Sequence, residues 1–325
     1  MADINMLITS AGRRVELVKC FKAAKDRLGI KGSIVTADAS ESAPACFFSD
    51  KKYKICRIDN PDYIAQIIEI CNRENINLIV PTIDTELIKL SISKEEIEKK
   101  TSAKVLISSQ EVINICRDKY KTVDFFRNNG FRAPQYITRE ELNKKSYEFP
   151  MFIKPLNGSS SVNAFKVHNE KELDFFMDYI PNYILQEFAA GEEYTIDAFC
   201  DFNSRPITIV PRKRLAVRSG EILKGITEKN ELIIREVKRV LEILKPVGQI
   251  TLQGMLDKQD FSFIEINPRF GGGAPMSIAA GADSCENLYR LLQGEQLKDK
   301  NKFEEGLLAV RFDQAVFIDK EGNLK

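Results

Sequence analysis

The most informative chemical groups in the sequence lie in one short run, which begins at Phe261 and reads Phe-Ser-Phe-Ile-Glu-Ile-Asn-Pro-Arg-Phe-Gly-Gly-Gly. Strand alternation predicts that Glu265 and Asn267 share a face, and that Phe261 and Phe263 lie on that face with them. Carboxylate and amide oxygens are the ligands that Mg²⁺ prefers, and the ion completes its shell with phosphates and water. Arg269 follows with a planar cation suited to a phosphate or a carboxylate. A polar strand end before a glycine-rich turn is the alternative interpretation.

Gln253 adds a further oxygen donor to this set. It precedes Glu265 by twelve residues, and the sequence around them predicts a β-hairpin formed by Gln249–Asp257 and Asp260–Ile266. Antiparallel pairing would bring the side-chain amide of Gln253 next to the carboxylate of Glu265. A surface glutamine in a strand is the alternative interpretation.

A lysine closes an apolar strand near the middle of the chain. Lys154 ends the predicted strand Met151–Lys154 and is followed by a loop of small residues, Asn157–Ser161. A buried ammonium group is costly without an anionic partner, and the N–H and hydroxyl groups of such a loop suit a polyphosphate. The lysine precedes the loop, whereas the lysine of a P-loop lies at its end. A simple hairpin turn is the alternative interpretation.

Two further segments carry charged groups at strand ends. The predicted strand Tyr183–Glu187 leads through a short linker to Glu193. Backbone groups there would suit a purine edge and a carboxylate would suit ribose hydroxyls, and an interstrand turn is the alternative. The basic cluster Arg212–Arg214 follows the predicted strand Pro206–Pro211. It indicates either a site for an acidic ligand or the solvated edge of a sheet, since edge strands often carry charged side chains.

Short apolar strands alternate with amphipathic helices in the first third of the chain, which predicts crossover units and a parallel sheet. The predicted strands are Met6–Thr9, Ser33–Ala37, Lys54–Ile58, Asn77–Pro81 and Lys104–Ser108, and the predicted helices are Val15–Leu28 and Pro61–Glu74. Ligands bind beyond the carboxyl ends of such strands. Charged residues at those ends and in the basic cluster are therefore candidate substrate contacts: Arg13, Arg14, Asp84, Glu86, Arg212 and Arg214.

The rest of the chain is rich in strands and predicts an α+β architecture. The further predicted strands are Asn163–His168 and Glu193–Phe202. The further predicted helices are Lys119–Asn128, Glu170–Tyr179, Lys229–Leu244 and Ser284–Leu292, and Thr138–Ser146 is predicted to be a polar linker. The change of pattern near Cys116 predicts a domain boundary there.

The composition excludes several classes of protein. The 325 residues carry a formal net charge of +1, so the chain lacks the basic surplus typical of a nucleic-acid binder. No apolar run approaches the roughly 20 residues of a membrane span. Seven scattered cysteines without a Cys-x-x-Cys pair predict free thiols and a cytoplasmic protein. The single histidine, His168, excludes a mechanism that needs several histidines.

Taken in this order, the segments resemble the ATP-grasp superfamily of carboxylate–amine ligases, and in particular one synthetase unit of the carbamoyl phosphate synthase large subunit. The resemblance rests on Lys119, Phe149–Pro155, Glu187–Tyr194, Gln253 and Ile264–Arg269, and it covers nearly the whole chain. It implies an α/β, Rossmann-like N-terminal domain over residues 1–115, followed by a two-part ATP-grasp domain over residues 116–325. In that domain a small lid would span about 119–186 and a C-terminal subdomain about 187–325.

The resemblance also implies a role for each residue of these motifs. The nucleotide-binding residues would be Lys119, Lys154, Gly158, Ser159, Ser160, Ser161, Glu187, Phe188, Ala189 and Glu193. The Mg²⁺ ligands would be Gln253, Glu265 and Asn267, with Glu265 bridging two ions and Mn²⁺ as an alternative metal. Arg269 and Lys154 would be the catalytic residues. A homodimer is the assembly expected from the family.

The implied activity is an ATP- and Mg²⁺-dependent ligation. A small-molecule carboxylate is activated as an acyl phosphate, and a nucleophile such as an amine then displaces phosphate. Nucleic acids and membranes are not expected partners.

Two other hypotheses stand beside this one. Gly12 after the first predicted strand and Asp38 after the second are features of NAD(P)-dependent dehydrogenases, although a single glycine stands where that pattern has Gly-x-Gly-x-x-Gly. A phosphate loop with the single glycine Gly158 favours instead a catalytically idle nucleotide-binding module.

Overall fold

A computed structural model describes residues 3–325 of the chain, apart from residues 159–161, 219, 259, 300–301 and 323. The strands of these residues form three sheets: a parallel sheet of five strands, an antiparallel sheet of three and an antiparallel sheet of six. None of the described helices is both long enough and apolar enough to cross a membrane.

The N-terminal sheet is parallel, as the alternation of strands and helices predicts. Its strands are β1 (Met6–Thr9), β2 (Ile34–Asp38), β3 (Lys51–Lys54), β4 (Leu78–Pro81) and β5 (Lys104–Val105), in the spatial order β3-β2-β1-β4-β5. The helices around it are α1 (Val15–Arg27), α2 (Tyr63–Glu74), α3 (Leu87–Lys100) and α4 (Gln110–Arg117). Helix α1 packs on one face of the sheet, and α2 and α3 pack on the other.

The strand predicted over Lys54–Ile58 is wrong, because β3 lies just before that segment. β3 is an edge strand whose lysines are exposed, and charged side chains are typical of such edges. The apolar residues that suggested a strand follow it, and Ile55 is buried in the core.

A small antiparallel sheet follows, which we call the lid sheet. Its strands are β6 (Met151–Pro155), β7 (Phe165–Val167) and β8 (Tyr183–Glu187), in the order β7-β6-β8. Before it come α5 (Lys119–Asn128) and α6 (Arg139–Lys144), and α7 (Glu170–Tyr179) lies between β7 and β8. Helix α6 occupies the predicted linker because Thr138 and Glu141 form a capping box, in which each side chain bonds the backbone N–H of the other residue.

The six-stranded sheet is the platform of the second part of the chain. Its strands are β9 (Glu192–Cys200), β10 (Pro206–Arg218), β11 (Glu221–Thr227), β12 (Gly248–Asp257), β13 (Asp260–Asn267) and β14 (Leu308–Val310), in the order β13-β12-β9-β10-β11-β14. Helices α5 and α8 (Glu231–Leu244) cover one face. Helices α9 (Ala274–Ala279) and α10 (Ser284–Leu292) follow the glycine-rich turn, and α10 packs against α1.

A β-bulge in β13 overturns one expectation about its faces. Glu265 pairs with Gln253, but Phe263 pairs with the next residue along β12, Gly254, so Ile264 is an extra residue. Phe263 therefore points to the face opposite Glu265, where it stacks on Phe126 of α5 with ring centroids 4.7 Å apart. The prediction that Phe261 and Phe263 share a face with Glu265 and Asn267 is wrong. The bulge lets one strand bury its aromatic side chains on the helix-covered face and present its polar side chains on the other.

We expect a substitution of Gly191, in the turn between β8 and β9, to destabilise the fold strongly. Its φ is +119°, and a Cβ there would lie 2.3 Å from the carbonyl oxygen of Leu256, which is backbone and cannot move aside. Gly191→Ala should lower the free energy of unfolding by about 3 kcal/mol or more, as measured by urea denaturation followed by circular dichroism. Gly130→Ala is the matched control, since Gly130 also has a positive φ, +75°, but has no atom within 4 Å of its Cβ position. Equal losses in the two variants would contradict the steric argument.

Candidate active site

The polar face of the six-stranded sheet collects side chains from four neighbouring strands. Glu265 on β13 lies opposite Gln253 on β12, which lies opposite Thr195 on β9, which lies opposite Arg212 on β10. Directly paired residues point to the same face. The predicted hairpin is thus confirmed. The bulge is what brings Gln253 opposite Glu265, because the regular register that pairs Gly254 with Phe263 would place Gln253 opposite Ile264.

Glu265 and Asn267 are held together by a hydrogen bond. The side-chain Nδ2 of Asn267 donates to Oε1 of Glu265 at 2.6 Å, and Asn267 is buried at the end of β13. The donor set of Glu265, Asn267 and Gln253 contains one carboxylate and two amides, which suits an ion that also takes oxygens from a phosphate ligand. No cluster of three or more His, Cys, Asp and Glu side chains that could hold a metal occurs among the described residues.

Two lysines act on Glu265 across the space between the lid sheet and the six-stranded sheet, which we call the cleft. Lys154 is the penultimate residue of β6 in the lid sheet and Lys119 begins α5, and both are half-buried. Burial lowers the pKa of Lys154 to about 8, Glu265 opposes that shift and Lys119 adds to it. Burial also lowers the pKa of Lys119, again opposed by Glu265. Two half-buried cations that share one carboxylate form a site suited to an additional anion, such as a polyphosphate.

Lys119 also connects the two parts of the cleft. Its Nζ donates to the carbonyl oxygen of Leu156, just beyond β6, at 2.7 Å. The start of α5 is fixed by Asp118, whose side chain accepts hydrogen bonds from the N–H groups of Tyr120 and Lys121. Gly158 is exposed, with a φ of +126°, and the predicted loop residues Ser159, Ser160 and Ser161 lie outside the described residues.

The segment predicted to bind the nucleoside joins the lid sheet to the large sheet. The Glu187 carboxylate accepts a hydrogen bond from the backbone N–H of Gln135 at 3.0 Å, so it is engaged locally. Phe188 lies under the ammonium group of Lys166, 4.0 Å from its ring centroid, and the half-buried Ala189 completes the segment.

Glu193 is ion-paired with Arg214. Its Oε1 lies 3.1 Å from Nη1 of Arg214. Burial raises the pKa of Glu193, an effect that Arg214 opposes and Glu265 reinforces. The carboxylate predicted to bind the ribose is therefore paired with a cation from the neighbouring part of the sheet.

Arg269 meets residues of the N-terminal domain. Its Nη2 donates to Oδ2 of the buried Asp84 at 2.6 Å, and Nη1 of Arg117 lies 3.9 Å from the other oxygen of Asp84. Arg14 is close enough to Arg269 that its pKa is lowered first by burial and then by that neighbouring charge. The structure thus brings together Arg14, Asp84 and Arg269, and it adds Arg117, which the sequence analysis missed. Its position two residues before Lys119 is the signal that could have found it.

Two candidate substrate contacts are buried and engaged by neighbouring side chains. Glu86 is fully buried, and its carboxylate accepts hydrogen bonds from Ser10, Tyr63 and the backbone of Thr82 and Ile83. This network ties the loop after β4 to the loop after β1. Arg212 is also buried, with 1% of its side chain exposed. Arg13, by contrast, is exposed.

A buried ion pair lies on the polar face, where the residues after β13 cover it. Nε of Arg212 donates to Oδ2 of Asp197 at 2.8 Å, and the Asp197 carboxylate also accepts from the hydroxyls of Ser277 and Thr251. β10 pairs with β9 on one side and β11 on the other, so the interpretation of Arg212–Arg214 as a solvated edge is wrong. The ion pair connects the sheet to α9 and to the glycine-rich turn that precedes it.

In the N-terminal domain, the loop after β1 is hydrogen-bonded to Asp38 at the end of β2. The N–H of Gly12 donates to Oδ2 of Asp38 at 2.8 Å, and the N–H of Ser40 donates to Oδ1 at 2.8 Å. A dinucleotide would need that glycine N–H for a phosphate and that carboxylate for a ribose. These groups satisfy each other instead, which does not favour a dehydrogenase.

Comparison with known proteins agrees with this geometry. Residues 6–106 match the family model described as "PylC-like, N-terminal domain", and residues 116–273 match that of the ATP-grasp domain. The chain is 24% identical over 292 residues to carbamoyl-phosphate synthase of Methanobrevibacter smithii, covering 82% of this chain and 76% of that protein. It is 26% identical over 278 residues to 3-methyl-D-ornithine–L-lysine ligase of Methanosarcina acetivorans, covering 84% and 70%.

Solved structures share the fold. The biotin carboxylase domain of 2-oxoglutarate carboxylase from Hydrogenobacter thermophilus, crystallised as a dimer with MgADP, ADP and bicarbonate, superposes with a TM-score of 0.74 at 16% identity. The match covers 95% of this chain and 74% of that one. These comparisons give no support to the dehydrogenase hypothesis.

We expect the buried ion pair to be required for stability. Arg212→Met should lower the free energy of unfolding by about 3–5 kcal/mol, because it leaves the Asp197 carboxylate buried without its cation. The double variant Asp197→Asn/Arg212→Met should recover most of that loss, since it removes both charges. Urea denaturation checks both values, with Arg57→Met, at a site where the side chain is 85% exposed, as the control. A single variant as stable as this control would contradict the role of the pair.

We expect ATP affinity to fall as the pH rises through the pKa of Lys154. The ammonium form is the one that attracts phosphate, and a pKa of about 8 means that it is lost between pH 7.5 and 9.5. MgATP affinity, measured by calorimetry, should weaken by about tenfold or more over that range. Lys154→Arg should give a flatter profile, because a guanidinium stays charged throughout. A wild-type profile as flat as that of the arginine variant would show that Lys154 does not titrate there.

Proposed function

Residues 116–273 of this chain are an ATP-grasp domain preceded by a PylC-like N-terminal domain, and from that premise we propose that the protein is an ATP-dependent carboxylate–amine ligase. One observation carries the proposal: the Lys119 and Lys154 side chains, half-buried on α5 and the lid sheet, share the carboxylate of Glu265, and burial lowers the pKa of both lysines while Glu265 opposes that shift. The two curated relatives described above include a ligase named for joining two amino acids. The domain limits 1–115 and 116–325, with a lid at about 119–186, are part of the proposal.

ATP would lie between the lid sheet and the polar face of the six-stranded sheet. The backbone of Glu187–Ala189 is available to the adenine, and Glu193 to the ribose. Lys119 and Lys154 would hold the triphosphate, and the loop that includes Gly158, Ser159, Ser160 and Ser161 would close over it. The connection from Lys119 to the lid sheet provides a route by which phosphate binding and lid position influence each other.

Gln253, Glu265 and Asn267 would hold Mg²⁺, which enters with the nucleotide. We propose two ions with Glu265 between them, and Mn²⁺ as an alternative. When bound, the metal neutralises charge on the phosphate oxygens and thereby supports phosphoryl transfer. The chain's own contribution is to place one carboxylate and two amides on a single sheet face, fixed by the Asn267–Glu265 hydrogen bond.

The chemistry follows from the poor reactivity of a carboxylate, whose leaving group would be oxide. Transfer of the γ-phosphoryl group of ATP to the carboxylate oxygen forms an acyl phosphate and releases ADP. The nucleophile, an amine, then attacks the carbonyl carbon, and phosphate leaves with the C–O electron pair. Arg269 and Lys154 would stabilise the charge on the transferring oxygens. Lid closure would exclude water, which otherwise hydrolyses the intermediate.

The proposal also covers the cellular location and the oligomeric assembly of the protein. The seven free cysteines are compatible with a cytoplasmic enzyme. A homodimer is proposed as the assembly, to be tested by analytical ultracentrifugation.

We expect Glu265→Gln to lower the rate of carboxylate-stimulated ADP release by about 100-fold or more, because it removes the single carboxylate of the donor set. Lys154→Ala should weaken MgATP binding at pH 7. The measurement is ADP formation across a panel of amino acids and small carboxylates with an amine, with MgATP affinity determined alongside. Glu242→Gln, at an exposed position on α8, is the control.

Two results would contradict the proposal. If neither Glu265→Gln nor Lys154→Ala affects MgATP binding, the nucleotide lies elsewhere. If the wild type binds ATP but no carboxylate in the panel stimulates ADP release, the catalytically idle module is the better description.

A further inference from the structure

A large cavity lies between the two parts of the chain, against the glycine-rich turn that follows Arg269. Its volume is about 620 Å³, within the range of small-molecule sites. Its walls come from the start of α1, the glycine-rich turn at Gly271 and Gly272, strand β11 and the segment that follows β14. The turn begins two residues after Arg269, so the cavity is adjacent in the chain to the residue proposed to assist phosphoryl transfer, although Arg269 is not among its lining residues.

The charged side chains that line the cavity have an excess of positive charge. Glu221 is shared by two arginines, with Oε1 3.8 Å from Nη1 of Arg14 and Oε2 2.9 Å from Nη1 of Arg311. Asp84 is shared in the same way by Arg269 and Arg117. Of these groups only Arg14, Arg311 and Glu221 line the cavity. Together with its other charged lining residues, Arg13, Arg218, Glu16 and Asp313, they make four guanidinium groups and three carboxylates. Such an imbalance, with the Arg14 side chain only 19% exposed, favours binding of another anion.

Arg14 is held against the glycine-rich turn. A Cβ on Gly272 would lie 2.7 Å from its Nη1, so the absence of a side chain there is what gives the guanidinium its place. Arg269 is the second cause of the lowered pKa of Arg14, after burial. The two guanidinium groups thus lie near each other, one in the cavity wall and the other at the proposed phosphoryl-transfer site.

The remainder of the cavity is lined mainly by apolar side chains. They come from both parts of the chain and include Val15, Leu17, Phe48, Ile222, Leu223 and Met276. An apolar wall stabilises a hydrocarbon group and offers nothing to a small hydrated anion. The cavity therefore combines an anion-binding end with an apolar body.

We propose that this cavity binds the carboxylate substrate of the ligase, and that this substrate is an organic acid with an apolar body, its carboxylate held between Arg14 and Arg269. The inference rests on the proposed function and deepens it. It distinguishes this protein from an enzyme that activates bicarbonate, since that ion would leave most of a 620 Å³ cavity empty. The segment after β14 closes one side, so the C-terminal part of the chain contributes to substrate binding.

The test compares probes of different size. Hexanoate and 3-phenylpropanoate, with bicarbonate and acetate as small references, are titrated by calorimetry into the full chain with MgADP, and each is assayed for stimulated ADP release from MgATP. The apolar acids should bind at least tenfold more tightly than acetate and should stimulate ADP release at correspondingly lower concentration. Stimulation by bicarbonate equal to that by the apolar acids would overturn the inference and leave the ligase function standing.

Variants locate the site. Arg14→Ala should weaken binding of hexanoate at least tenfold with MgATP affinity unchanged, and the exposed Arg57→Ala should alter neither. Leu223→Trp retains every charge but fills the cavity from its half-buried position, so it should weaken binding of 3-phenylpropanoate more than that of acetate. Wild-type affinity for the apolar acids in both Arg14→Ala and Leu223→Trp would overturn the inference. Tight binding of those acids without any ADP release would support the cavity assignment while contradicting the ligase proposal.

Discussion

The electrostatic balance around Glu265 is the constraint on which the rest of the site depends. This carboxylate acts on Lys119, Lys154 and Arg214, and it opposes the lowering of the pKa that burial causes in each. Without a further anion these three cations outnumber the carboxylates of Glu265 and Glu193, and burial amplifies their cost because water cannot screen them. A magnesium-bound triphosphate has the charge that such a cleft lacks. Because Lys154 belongs to the lid sheet and Glu265 to the six-stranded sheet, the site exists only where these two sheets lie close together.

The position of Glu265 depends in turn on features below the surface of the cleft. The bulge at Ile264 changes which face the side chains of β13 point to. The aromatic residues before it therefore lie in the core next to α5, and the polar residues after it lie in the cleft. On the same polar face, the buried Asp197–Arg212 pair fixes the sheet to α9. A buried ion pair is not by itself stabilising relative to apolar residues. Its geometry here instead specifies where the glycine-rich turn lies, and with it Arg269.

Residues of the N-terminal domain interact directly with this site. Asp84 after β4 engages Arg269, and Arg14 at the start of α1 approaches the same group. Packing of α10 on α1, with Phe21 against Phe270 and Tyr289, holds these contacts in place. In the proposed function the carboxyl ends of the parallel strands would face the carboxylate substrate, and the antiparallel sheets would face the nucleotide. A cavity at this junction is where the two substrates of a ligase would have to meet.

The sequence by itself determined the local features of this protein. Strands such as Met6–Thr9 and Tyr183–Glu187 and the helix Lys119–Asn128 follow from apolar periodicity and caps, which act over a few residues. The hairpin that carries Gln253, Glu265 and Asn267 likewise follows from local sequence, although the pairing of Gln253 with Glu265 also needs the bulge at Ile264. Only the tertiary structure decided the rest. The bulge that turns Phe263 away from Glu265, the burial of Glu86 and Arg212, and the convergence of Arg14, Asp84 and Arg117 on Arg269 all depend on packing between segments far apart in the chain, and no local pattern encodes which of two faces such packing will cover.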